Sequence, residues 1–134
     1  MILGIGTDLC DIRRIEKILE HFGERFIQRL FSETEQRKAI RRANPAASFA
    51  QGFAAKEACA KALGSGLGEG VFWRDMVVAN HLGGQPYMTL TGGALARMNM
   101  LTPIGMMANV HISLSDEYPF ANAVVIIEAV DQSP

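Results

Sequence analysis

Between Ala46 and Leu63 the chain sets eight alanines around only three charges, Lys56, Glu57 and Lys61. Alanine is the strongest helix former, and a helix so thinly coated must pack closely against its neighbours. This is the longest helical pattern in the sequence, and it dictates what the rest has to supply: flat surfaces without bulky side chains. Charges set among small apolar residues need a reason. Glu57 and Lys61 are four apart and share a helix face, which admits an ordinary ion pair worth about 0.2–0.5 kcal/mol. Against that, Phe49 and Phe53 continue the same spacing upstream, so this face is partly enclosed and its charges are costly unless used.

The flanking segments read as helices and strands. Residues 2–7, Ile-Leu-Gly-Ile-Gly-Thr, predict a first strand whose glycines permit close backbone approach and which delivers Asp8 at its end. Asp11 is placed as an N-cap, and Ile12, Ile15, Leu19, Phe22, Phe26 and Leu30 follow at helical spacing. Ser32 and Glu35 have capping-box spacing for a helix to about Ala43, and Asn44-Pro45 stops it. Gly64, Gly66, Gly68 and Gly70 make a loop. Trp73–Ala79 and Tyr87–Thr91 read as strands of a hairpin through Leu82-Gly83-Gly84-Gln85, Gly92–Leu101 as a short helix, and 108–115 and 121–130 as closing strands. With strands clustered in the second half, the expected class is α+β, with helices packed on a mainly antiparallel sheet in one domain spanning 1–134.

Composition narrows the function. The formal charge is −1, so no global field for polyanions exists and nucleic acid is not an expected partner. Residues 12–42 nevertheless hold nine Lys and Arg against five Glu, a local excess of +4 that leaves −5 on the remainder. Arg14, Lys17, His21, Arg25 and Arg29 form the outer stripe of the first helix. It reads either as a solvated face, held by pairs such as Arg13 with Glu16, or as a docking strip for an acidic partner. Cys10 and Cys59 sit among Ile, Leu and Ala and are expected reduced and structural. The opening MILGIGTDL lacks the flanks of a secretory signal, and no apolar run reaches the ~18 residues of a membrane span, so cytoplasmic residence without a membrane is expected. Five of seven methionines fall between Met88 and Met107, a pattern of adaptable packing.

Asp8 together with Glu57 would supply two hard oxygen ligands, and Mg²⁺ commonly takes one or two carboxylates plus substrate phosphates and waters. Lys61, one turn past Glu57, would set a cation near the same phosphates. The arrangement suggests phosphoryl-type transfer. Gly64-Ser65-Gly66 could approach phosphate oxygens but lacks a Walker pattern, and plain loop formation is equally admissible. In Val110–Asp116 the alternation puts His111, Ser113 and Ser115 on one face; a hydrolytic triad has no geometric support there.

Gly6-Thr7-Asp8 with Ile12, Arg14 and Ile15, then Phe53-Ala54-Ala55-Lys56-Glu57-Ala58 with Lys61-Ala62-Leu63-Gly64, then His111-Ile112-Ser113-Leu114-Ser115, resemble the holo-[acyl-carrier-protein] synthases of the 4′-phosphopantetheinyl transferase family. The resemblance spans essentially the whole chain. It implies that family's fold, assembled as a homotrimer with sites between subunits. The activity it implies is transfer of 4′-phosphopantetheine from coenzyme A to a serine of apo acyl carrier protein, in support of fatty acid biosynthesis, with release of adenosine 3′,5′-bisphosphate and dependence on Mg²⁺. By the same resemblance Asp8 and Glu57 hold the metal, Glu57 helps deprotonate the serine and Lys61 assists the leaving phosphate. Lys61, Gly64, Pro86, His111 and Ser113 contact coenzyme A, and the acidic carrier docks on Arg14, Lys17, His21 and Arg25. Two departures stand out: Gly52 where the family often has Arg, and Gln85 where it often has Lys. They motivate one alternative, a carrier-protein or nucleotide binding module without catalysis; a second, a metal-dependent pyrophosphate hydrolase, shares the carboxylates but needs water as sole nucleophile.

Overall fold

The Ala-rich segment folds as α3 (Pro45–Leu63), the central element of a computed structural model that describes residues 1–132. The chain runs β1 (Ile2–Asp11), α1 (Ile12–Leu30), α2 (Glu33–Ile40), α3, a single 3₁₀ turn (Trp73–Asp75), β2 (Met76–Asn80), β3 (Pro86–Leu90), α4 (Gly92–Leu101), β4 (Met106–Glu117) and β5 (Phe120–Asp131). The fold is α+β. Its strands form two antiparallel sheets rather than one: β1-β5-β4 and the hairpin β2-β3.

Helix α3 lies on the three-stranded sheet, and the sequence explains how closely. Along β5, Ala121, Ala123, Val125, Ile127 and Ala129 are fully buried while the residues between them face the other way. Their register partners on β1 include Gly4 and Gly6. A Cβ added at Gly4 would stand 1.9 Å from the Ala62 carbonyl oxygen, and one at Gly6 1.9 Å from that of Ala58. Glycine on the strand and alanine on the helix thus bring the two backbones nearly into contact, as the sequence predicts. Burying Ile12, Ile15, Leu63 and Ile127 around this seam stabilises the fold by roughly 1.5–3 kcal/mol each.

Caps fall where expected. Asn44 Oδ1 accepts from Ala47 N–H at 3.3 Å and Pro45 opens α3, which ends on Gly64 at φ 75°. Ser32 and Glu35 form a reciprocal capping box for α2. Several boundaries need correction. Strand β1 continues to Asp11, so Asp8 lies inside the strand and not at its end; pairing with β5 as far as Asp11–Phe120 carries it on. Helix α2 stops at Ile40, short of Ala43, and Trp73–Asp75 is a 3₁₀ turn, so β2 starts at Met76. Helix α1 is kinked at Phe22, whose φ of −133° leaves the helical region and whose side chain is 63% exposed, outside the apolar stripe. Arg13 pairs with Asp11, not Glu16, which instead accepts from the Tyr118 hydroxyl. The methionines divide: Met88 and Met98 pack in the core, whereas Met100 and Met107 are exposed.

One polar knot inside the core was not legible in the sequence. Lys56 is fully buried, its Nζ donating to Glu35 Oε1 at 3.0 Å, to the Trp73 carbonyl at 3.1 Å and to the Met76 carbonyl. Glu35 in turn accepts from Ser32 N–H on Oε1 and from Val78 N–H on Oε2. Burial pushes the Lys56 ammonium below its ordinary pKa, and the Glu35 carboxylate draws it back.

Candidate active site

Asp8 shares the α3-facing side of β1 with Gly4, Gly6 and Cys10, because strand side chains alternate. Where the glycines let the helix in, Asp8 meets its edge. Lys61 Nζ donates to Asp8 Oδ1 at 3.1 Å and to the Thr7 carbonyl at 2.9 Å. The lysine therefore reaches across to β1, and the ordinary helix pair with Glu57 admitted by the spacing is not the contact formed. Asp8 is mostly enclosed, with 18% of its side chain exposed against 54% for Lys61.

Glu57 stands half-buried beside this pair. Its carboxyl is held above the ordinary 4.5, first by burial and then by the negative charge of Asp8, while Lys61 and Arg14 pull it down. Two carboxylates nearly fifty positions apart thus converge closely enough for the Asp8 charge to be felt at Glu57. Cys10, buried behind them, has its thiol pushed up, chiefly by burial and further by the Asp8, Asp11 and Glu57 charges, with Arg14 opposing. It is unsuited to nucleophilic chemistry, and Cys59 is pushed up to about 12 by burial.

Among the described residues no cluster of three or more His, Cys, Asp or Glu side chains could hold a metal. Asp8 and Glu57 are a two-carboxylate set, the hard-oxygen type that Mg²⁺ accepts when substrate oxygens and water complete its shell. Burial raises the Glu57 pKa first and the negative charge of Asp8 raises it further; a divalent cation beside both would favour the ionised form, so the donors fit that ion.

The basic stripe of α1 borders the site. The Arg14 guanidinium lies 5.7 Å from the centroid of the Phe53 ring, which stacks on Trp73 at 5.2 Å. Phe26, Trp73 and Phe53 floor a groove rimmed by Arg25 and Arg29. Gly64 caps α3 one turn beyond Lys61.

Other sequence-predicted residues stand apart. Pro86 pairs with Asn80 in the small sheet. His111 and Ser113 are register partners of Ile126 and Val124, whereas Asp8 is the partner of Ala123. Neighbouring residues of β5 point to opposite faces, so His111 and Ser113 lie on the far face of the sheet from Asp8. There His111 Nε2 is 3.1 Å from Glu128 Oε1. At Gly52, a Cβ would stand 2.9 Å from the edge of the buried Phe31 ring.

The sequence profile of the 4′-phosphopantetheinyl transferase superfamily matches residues 4–115. The holo-[acyl-carrier-protein] synthase of Phenylobacterium zucineum is 58% identical over 134 residues, covering 100% of this chain and 97% of that protein. Among solved structures, the holo-[acyl-carrier-protein] synthase of Neisseria meningitidis superposes with a TM-score of 0.84 at 31% identity, covering 96% of this chain and 99% of that one. The Helicobacter pylori enzyme of the same name, solved in complex with coenzyme A, gives 0.79 at 31% identity, with 92% and 99% covered. On these matches, and with Asp8, Glu57 and Lys61 brought together, the chain belongs to the 4′-phosphopantetheinyl transferase superfamily, among its holo-[acyl-carrier-protein] synthases.

Proposed function

We propose that this chain transfers 4′-phosphopantetheine from coenzyme A to a serine of apo acyl carrier protein, giving holo carrier protein and adenosine 3′,5′-bisphosphate, in the cytoplasm and in support of fatty acid biosynthesis. The observation that carries the reading is the convergence of Asp8, Glu57 and Lys61 at the seam of β1 and α3. Asp8 and Glu57 would hold Mg²⁺, which when bound supplies Lewis acidity to the pyrophosphate oxygens. Glu57, its carboxylate made more basic by burial and by Asp8, takes the proton of the carrier serine hydroxyl, directly or through a water. The serine oxygen bonds to the pantetheine-bearing phosphorus, and the bond from that phosphorus to the bridging oxygen breaks. Lys61 leaves Asp8 to place its ammonium against the departing phosphate.

Gly64, Pro86, His111 and Ser113 contact the coenzyme in this reading, and no single copy can present all of them around Asp8, because His111 and Ser113 face away from it. A homotrimer with sites between copies resolves the split. Support comes from the apolar outer face of the sheet, where Ile5 and Leu9 are 65% and 64% exposed. The acidic carrier docks on Arg14, Lys17, His21 and Arg25 of α1, steered by the local excess of positive charge. The described residues contain no helix long and apolar enough to cross a membrane, and neither membrane nor nucleic acid has a part in the proposed reaction.

Incubation with coenzyme A, Mg²⁺ and an apo acyl carrier protein is expected to add one phosphopantetheine mass to the carrier, and chelation of the metal to prevent it. No mass gain at high enzyme concentration across several carriers would reject the reading.

A further inference from the structure

The reaction as derived uses Glu57 and Lys61 but leaves their neighbour Lys56 idle, although a fully buried ammonium is costly to maintain. Its contacts show where it acts. Two of its three acceptors, the carbonyls of Trp73 and Met76, bracket the 3₁₀ turn between the glycine loop and β2. That turn follows a segment in which Gly64, Gly66, Gly68 and Gly70 all take positive φ, so the chain entering it has little stiffness of its own. The third acceptor, Glu35 in the first turn of α2, also accepts from the N–H of the N-cap Ser32 and from the Val78 amide of β2. One ammonium therefore ties α3 to α2 and to both sides of the turn. What the turn presents is the Trp73 ring, stacked on Phe53 at 5.2 Å, with Arg14 over the other ring at 5.7 Å.

We infer that Lys56 is a positioning residue for carrier recognition: by holding the Trp73 carbonyl it fixes the Trp73–Phe53 stack under Arg14, and with it the apolar floor of the groove rimmed by Arg25 and Arg29. This rests on the reading of the α1 face as the docking surface. Lys56 touches neither the carrier nor coenzyme A; it sets the surface on which the carrier's acidic and apolar side chains land.

The test separates the two substrates. Lys56→Met removes the donor and keeps the length, and is expected to raise the KM for apo carrier about fivefold, the size typical of a loosened interface contact. The KM for coenzyme A should stay within about twofold, since a loss of overall fold would move both constants together. Trp73 is the only tryptophan, so its emission should become more accessible to acrylamide in the same variant. Should Lys56→Met fail to fold, Trp73→Leu, which leaves the buried pair intact, must reproduce the same split in KM. Equal shifts in both KM values, or no shift in the carrier KM in whichever variant folds, overturn the proposal. Arg14→Glu distinguishes the failures: a raised carrier KM there with none in Lys56→Met and Trp73→Leu removes only the positioning role, whereas an unchanged carrier KM in Arg14→Glu removes the docking reading and this inference with it.

Discussion

Glu57 is the residue at which stability and the proposed chemistry oppose each other. Its pKa is raised in the fold, so its contribution to stability is fully present below the unfolded value near 4.5 and is lost as pH climbs through the folded value. In the absence of divalent cations, Glu57→Gln is therefore expected to melt higher than the parent at pH 7, with the gap closing towards pH 4. A variant no more stable at pH 7 would contradict the assigned burial and repulsion. The same substitution, like Asp8→Asn, is expected to cost a hundredfold or more in kcat, roughly the loss seen when one preorganised charge-stabilising group is removed. Turnover retained in both would move the chemistry elsewhere. At this scale the sequence was informative about type and silent about partner. A carboxylate and a lysine in an alanine run demanded an explanation, yet only the strand crossing reveals that Lys61 pairs with Asp8 and that Lys56 turns inward to Glu35. Long-range pairs of this kind depend on which faces meet, and periodicity does not carry that information.

At the scale of elements, the glycines of β1 decide the site, because they set how near α3 can come. Gly6→Ala would drive a methyl group against the Ala58 carbonyl, and backbone cannot yield as a side chain can. A loss of about 3 kcal/mol is expected from such overpacking, read from the urea midpoint; an unchanged midpoint would mean the seam is looser than described. Arg14→Glu on α1 is expected to weaken carrier docking and to flatten its salt dependence, with a smaller effect on coenzyme A, as measured by steady-state kinetics over a range of ionic strength. The helices were legible from caps and periodicity, with α4 found over its full length and α1 at both ends. The kink at Phe22 was not, since an apolar residue at helical spacing gives no sign that its backbone departs from the helix. Strand ends were underestimated because β1, β4 and β5 extend one another's pairing beyond their apolar runs.

At the scale of the whole molecule, a single copy does not gather all the residues proposed for the site. Asp8, Glu57 and Lys61 gather on one side of the three-stranded sheet while His111 and Ser113 decorate the other, and the sequence, which places residues on a face but not faces in space, had no means to show that separation. Replacement of Ile5 and Leu9 by lysine on the exposed apolar face is expected to convert the proposed trimer to monomers in sedimentation and to abolish transfer; a monomeric parent with full activity would contradict an assembly built across that face. The proposed chemistry is nonetheless local, since it needs two acidic side chains, from β1 and α3, to share one divalent ion. Crystals grown with coenzyme A and Mn²⁺ in place of Mg²⁺ test it through anomalous scattering. A peak within bonding distance of both the Asp8 and Glu57 carboxylates is the predicted result, and a bound coenzyme with the manganese peak at other ligands would contradict it.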